Sequence, residues 1–455
     1  MTELSLFPLD TVLDFMMRMS AFLAGLAALI FVHELGHFLV ARRYGVIVEK
    51  FALGFGPKLI GFTKDGTEYL IAAIPLGGYV KMKGEDPNEE LEDTTGSFHH
   101  AKVGHRIAIA FAGPLFNFMF ALLIFAGVYL SGVPSLDTTV GNVKEDMPAS
   151  AAGIKTGDRI VEINGQKVQY WEQLLDIVHN SPGKKIDFII DRDNALIPFS
   201  IAPMMEKITD MLGDEKKVGL IGITPLRNFI SYVDKGSAAD IAGLKLGDRL
   251  VAVDGSPIRE IQDLIPTAIN KPGQELTFSV VRDGKQLDLP LTPKPKTVKD
   301  DKGLSVEKGL IGLNLQGNMV QQSYSLPGAI VRSLEETWGM IKLIAISIQK
   351  MIFGSVPSDS IGGPILIFQV YGEQAQQGFM QTIRLTALLS INLGLINLLP
   401  IPILDGGHIF FFLIEILKGR PVSERNRERA AQVGLFMILS LMVFAFYNDI
   451  ARIMN

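Results

Sequence analysis

Residues 19–40 read MSAFLAGLAALIFVHELGHFLV, an apolar run interrupted by His33, Glu34 and His37. A helix crosses a bilayer with roughly 20 apolar residues, so this run is a candidate span. On a helix, positions i and i+4 share a face. Both imidazoles can therefore reach one metal ion, with Glu34 between them as a general base. Ionisable groups inside an apolar run are costly unless they are paired or functional. A buried His–Glu hydrogen-bond cluster is the alternative without chemistry. The leader carries Glu3, Asp10 and Asp14 against Arg18, the wrong charge for the n-region of a signal peptide.

Three further runs qualify as spans: about Ile107 to Leu130, Leu385 to Leu404 and Val433 to Phe446, the last short for a crossing unless its flanks extend it. The whole chain agrees, with 48% apolar residues and a mean hydropathy of +0.28. Its 455 residues suggest about three units. Basic residues set the orientation. Arg42, Arg43 and Lys50 follow span one, Lys102 and Arg106 precede span two, and Lys418, Arg420, Arg425, Arg427 and Arg429 separate spans three and four. With four spans these clusters share one side, the cytoplasmic one, which leaves both termini and the stretch from Ser131 to Thr382 outside. A net charge of −5 gives no basic excess and no pointer to nucleic acid. The absence of cysteine excludes disulfides, Cys-ligated zinc, iron–sulfur clusters and a Cys nucleophile.

The outer stretch repeats itself. AGIKTGDRIVEING at 152–165 matches AGLKLGDRLVAVDG at 242–255, and the offset of 90 persists through Pro182-Gly183 and Pro272-Gly273 to GLIGI at 219–223 and GLIGL at 309–313. A fixed offset means two copies of one domain. Each alternates short apolar strands with Gly, Asp and Asn turns and has room for a helix, Trp171 to Val178 and Ile261 to Ala268. The pattern resembles bacterial PDZ domains, which implies peptide capture by strand addition or a steric filter above the site; structural spacers are the plain alternative. Leu334 to Phe353 is apolar on one face and reads as an interfacial amphipathic helix, or as one packed on the outer domains. Val46 to Lys83 reads as a small β-sheet, a plain hairpin unless it meets substrate. Gly113-Pro-Leu-Phe-Asn117 and Gly362-Gly-Pro364 read as helix starts and packing features without chemistry.

A catalytic zinc usually takes three protein ligands and leaves one position open. Asp405, in NLLPIPILDGGH at 397–408, is the candidate third ligand, with His408 its rival. Asp-Gly-Gly is otherwise an ordinary helix stop. Asp405 lies at the cytoplasmic end of span three, and His37 precedes Arg42 by five residues, which puts the motif roughly 8–12 Å from that end. Topology therefore allows a His–His–Asp site. Broken backbone at membrane depth is tolerated only where protein or a water-filled cavity satisfies it, which suits an active site.

HELGH in the first span with N-x-x-P-x-P-x-L-D-G in a late one resembles the site-2 protease family. Two PDZ-like copies between them narrow the resemblance to its bacterial regulator-of-sigma-E type. It implies zinc on His33, His37 and Asp405, Glu34 as base, and Asn397, with Asn392, handling substrate. It further implies a β-loop that pairs with unwound substrate. The implied fold is a polytopic α-helical membrane protein with four transmembrane helices, a small membrane-associated β-region and two tandem α/β PDZ domains on the outer side. The expected layout is leader and transmembrane helix at 1–45, β-loop region at 46–103 and transmembrane helix at 104–132. PDZ copies follow at 133–223 and 224–316, then an amphipathic and re-entrant segment at 317–382. A transmembrane helix with Asp405 at 383–408 and a basic loop with the last helix at 409–455 complete it. The implied activity is regulated intramembrane proteolysis in the bacterial inner membrane, with periplasmic PDZ domains. Implied partners are the lipid bilayer and single-span substrates, such as an anti-sigma factor after first-site cleavage or signal-peptide remnants. A PDZ scaffold without chemistry and a metal transporter or sensor are the rival classes.

Overall fold

The computed structural model describes residues 9–85, 92–209, 215–299, 305–353 and 362–454, so Glu3 of the leader lies outside the described residues. The chain divides into two units, Met1–Ser131 with Ser323–Asn455, and Gly132–Gln322.

The first unit comprises α1 (Leu9–Arg43), strands β1 (Val48–Lys64) and β2 (Thr67–Met82), α2 (Val103–Ser131), α3 (Leu326–Ile352), α4 (Pro364–Gln377), α5 (Phe379–Asn397), α6 (Asp405–Lys418) and α7 (Glu424–Met454). Among the described residues, four helices, α1, α2, α5 and α7, are long and apolar enough to cross a membrane. Described leader residues form the first turns of α1, where Arg18 pairs with Asp14 at 2.8 Å and Gln376 of α4 donates to Asp14 at 2.9 Å. One helix bound differs from the hydropathy reading. The third apolar run does not continue to Leu404: α5 closes at Asn397, because Pro400 and Pro402 supply no amide hydrogen to extend it. The flanks of the fourth run do extend it: polar residues at both ends remain helical, over 31 positions in all. Gly113-Pro114 is not a helix start; it lies within α2.

α1 and α2 touch at glycine. A methyl group on Gly36 would press against the Ala112 carbonyl carbon at 2.8 Å. The strands turn at Asp65-Gly66, both at positive φ (50° and 79°), the two-residue hairpin geometry that Asp-Gly favours. β1 pairs twice along its first half. Phe51 faces Val80 on one side and Tyr69 on the other, so residues 78–82 form an edge with one partner strand. Val48, Phe51, Val80 and Met82 pack with Phe38, Ala41 and Ile109, fixing this edge beside α1.

In the second unit the offset of 90 is structural. Strand Val140–Val143 pairs with Ile223–Pro225, and its counterpart Phe229–Val233 pairs with Leu313–Gln316. Each copy closes over its own core, around Ile160, Leu174 and Phe188 in the first and Leu250, Leu264 and Phe278 in the second. Each also buries an aspartate under an arginine. Arg192 grips Asp158 through two hydrogen bonds of 2.7 Å and donates to the Gly153 carbonyl at 2.8 Å. Arg282 does the same to Asp248 at 2.6 Å and to Gly243 at 2.8 Å. The copies differ at the helix. Trp171–His179 is a regular α-helix, whereas the second copy has a 3-10 turn, Ile261–Asp263, then a π-turn, Ile265–Ile269. Pro266 stands where the first copy has Asp176, and its missing amide hydrogen prevents the expected helix from Ile261 to Ala268.

Asp158→Asn leaves a partly buried arginine contact half-made and costs the first copy about 1–3 kcal/mol. Urea unfolding followed by the fluorescence of Trp171, which is buried, reads this as a lower midpoint, over a steady signal from exposed Trp338.

Candidate active site

One turn of α1 separates His33 from His37, so their rings stand edge to face with centroids 4.8 Å apart. Their Nε2 atoms are 3.3 Å from each other. Asp405 completes the cluster, Oδ2 at 3.1 Å from His33 Nε2 and Oδ1 at 3.5 Å from His37 Nε2. Asp405 does not end the preceding helix; it opens α6. After α5 the chain makes a tight turn, with Ile401 N donating to Leu399 O at 2.7 Å and Leu404 N to Ile401 O at 2.9 Å. Gly407 lets this turn lie on α6, since a methyl group there would meet Pro402 Cα at 2.7 Å. A carboxylate in a first helical turn is also favoured by the helix dipole.

Ligands held about 2.0–2.1 Å from a tetrahedral ion lie roughly 3.3 Å apart, close to the spacings of these three atoms. Asp405 Oδ2 is buried and, among the described residues, receives no hydrogen bond of good geometry. Two imidazole nitrogens and a carboxylate are donors that zinc accepts. The residues present therefore fit a metal ion. His408 lines the same pocket but stands outside the cluster of three.

The outer nitrogens are held as well. His37 Nδ1 donates to the Ile109 carbonyl at 2.8 Å, which turns Nε2 toward the cluster. His33 Nδ1 lies 3.2 Å from the carboxamide of Asn117 in α2. Asn117 is completely buried, and its Oδ1 is otherwise without a partner. With that oxygen turned to the ring, Nδ1–H donates and both groups are satisfied. Gly113, one turn earlier, leaves room for the rings: a methyl group there would strike His37 Nε2 and come within 2.7 Å of His33 Cε1. Neither residue was singled out for chemistry in the sequence, although an asparagine in an apolar run was the available signal.

Glu34 shares a cavity of about 230 Å³ with the cluster, walled by Gly78, Tyr79 and Val80 of the β2 edge and by Glu85. Glu85 accepts from the Met82 amide at 3.1 Å, and burial pushes its carboxyl above the usual carboxylate range, against the pull of that amide. Asn397, the last residue of α5, brings its carboxamide nitrogen to 3.3 Å from His33 Nε2. Asn392 is not brought in. Five residues turn a helix through roughly 500°, so the two amides point about 140° apart, and Asn392 does not line the cavity.

Two imidazoles, a carboxylate and a neighbouring glutamate between apolar helices make up a candidate metallohydrolase centre. The profile described as Peptidase family M50 matches residues 21–441. The chain is 35% identical to the regulator of sigma-E protease RseP of Salmonella typhimurium, covering 97% of this chain and 100% of that protein. It is 36% identical to the protein of the same name from Escherichia coli K12, with the same coverage. A PDZ domain of an SdrC-like protein from Listeria innocua matches 19% of this chain and 91% of its own, at 31% identity and a TM-score of 0.16. The chain belongs to peptidase family M50, the site-2 protease family, and is a metalloendopeptidase by class. Family membership decides against the scaffold and transporter readings.

Gly113→Ala should lose equimolar zinc while keeping its helical circular dichroism, because the added methyl group displaces both rings. Asn117→Ala should bind zinc about 10- to 100-fold more weakly. Competition with a chelating dye measures both.

Proposed function

We propose that this chain is an intramembrane zinc protease that cuts single-span membrane proteins, including an anti-sigma factor already trimmed by another protease. Cleavage would switch on an envelope stress response. The observation that carries the proposal is the meeting of His33, His37 and Asp405 beside Glu34, between helices apolar enough to span a bilayer. On this reading α1, α2, α5 and α7 cross the bacterial inner membrane, and the basic clusters lie in the cytoplasm. The hairpin formed by β1 and β2 exposes Leu59, Ile60 and Phe62 near its turn, surface that a bilayer accepts and water does not.

His33, His37 and Asp405 would hold the ion. Zinc, when bound, supplies Lewis acidity that lowers the pKa of water and polarises a carbonyl. Glu34 then takes the proton of the attacking water and returns it to the leaving amine. The Asn397 amide donates to the oxygen on which charge develops. A helical substrate hides its carbonyls, so the scissile segment must unwind. The edge at residues 78–80 has one partner strand and lines the cavity, and we read it as the place where an extended segment adds as a further strand.

We read both copies in the second unit as PDZ domains that select substrates. A groove of about 330 Å³ in the first copy lies between the helix Trp171–His179 and strand Ile223–Pro225, walled by Met147, Leu174, Val178 and Ile221. It suits an added strand with alternate apolar side chains.

Glu34→Gln should lower cleavage of a single-span substrate in detergent at least about 100-fold while keeping equimolar zinc. Undiminished turnover by this variant, free of contaminating protease, contradicts the role of Glu34.

A further inference from the structure

The catalytic cavity has one fixed cation among its described lining residues, Arg427. It stands in the first turn of α7, where the helix dipole disfavours positive charge. It is half-buried, which adds a desolvation cost. An arginine in such a place ordinarily has an intramolecular carboxylate at ion-pair distance. Arg106, Glu415 and Glu424 are the charged groups around it. Glu415 is held by Arg106 at 2.6 Å, and the same guanidinium lies 4.8 Å over the Phe412 ring. Among the described residues, no carboxylate reaches ion-pair distance of Arg427 and no acceptor takes a hydrogen bond from its side chain.

The rest of the wall is acidic. Glu34, Glu85 and Asp405 face the same space, and only Asp405 belongs to the candidate ligand set. Peptide hydrolysis turns a neutral amide into a carboxylate and an amine. A carboxylate in this cavity meets repulsion from two glutamates unless a cation receives it. A guanidinium offers a fork of donors that matches a carboxylate. Arg425 and Arg429 on the same helix end are exposed and suit lipid headgroups; Arg427 alone of the three lines the cavity.

We propose that Arg427 is a specificity-determining residue that seats a peptide carboxylate in the catalytic cavity. That carboxylate is either an acidic side chain flanking the scissile bond or the α-carboxylate that cleavage creates. The inference rests on the protease reading.

The test uses full-length protein carrying Glu34→Gln, so that peptides are bound but not cut. Three fluorescein-labelled apolar peptides with lysine flanks differ only in their acid: an internal Glu with an amidated end, an internal Gln with an amidated end, and an internal Gln with a free C-terminal carboxylate. Fluorescence anisotropy should show one of the two acidic peptides binding about tenfold more tightly than the neutral one. Adding Arg427→Gln should erase the difference, and Arg427→Lys should keep part of it, with zinc content and circular dichroism unchanged. Preference for the internal Glu assigns the substrate side chain; preference for the free end assigns the product. Equal binding of all three peptides, or a preference that survives Arg427→Gln, overturns the proposal. So does an effect of Arg427→Gln confined to affinity for phosphatidylglycerol in the micelle. Wild-type protein is assayed alongside for cleavage of a single-span substrate. Intact cleavage without peptide discrimination overturns this inference alone, whereas no cleavage overturns the protease reading and this inference with it.

Discussion

His33 Nε2, His37 Nε2 and an oxygen of Asp405 point at one another across 3.1–3.5 Å from helices that are otherwise apolar. Lone pairs crowded in this way repel each other, and burial removes the water that would relieve them. A cation at their centre turns the same crowding into coordination. The surrounding structure keeps the cluster in shape. Gly36 and Gly113 let α1 and α2 approach until the imidazoles touch the α2 backbone, and Ile109 and Asn117 occupy the outer nitrogens. The carboxylate arrives on a separate helix, α6, delivered by a turn that two prolines force out of helical geometry. The site therefore depends on three helices packing correctly, not on one motif.

The β-region and the helix ends add what the ligand set lacks. Residues 78–82 bring a strand edge with one partner strand to the cavity wall beside Glu34. A protease acting on membrane helices has to hold an unwound segment, and strand addition does so without regard to side-chain sequence. On the proposed reading, selectivity would come from elsewhere: from the paired folds of the second unit and from the single charge of Arg427 at the cavity.

Much of this could be read from the sequence, for identifiable reasons. HELGH sets its histidines one turn apart on any helix, so their shared face followed from the spacing alone. The repeat showed itself because Asp158 and Asp248, with Arg192 and Arg282, recur at the same offset and make the same buried pair. Asp405 was named as the candidate third ligand, but its place was misjudged. Pro400 and Pro402 marked a break in the sequence, but hydropathy continued through NLLPIPIL and carried the span to Leu404, which put Asp405 at the end of one helix instead of the start of the next. Asn117 was missed because its contact partner lies 84 positions away, and no local period reports such a pairing. Pro266 shows the converse case: the two copies align well, yet one missing amide hydrogen gives the second a different turn.

X-ray absorption at the zinc edge of the purified protein, compared with Asp405→Ala, asks most directly whether these three side chains hold the ion. The predicted spectrum has only nitrogen and oxygen neighbours at about 2.0–2.1 Å, with the outer-shell scattering of two imidazoles, and it loses one oxygen neighbour or the zinc itself in the variant. A spectrum with three imidazoles would move the third ligand to His408. Zinc bound identically in Asp405→Ala would contradict the site altogether.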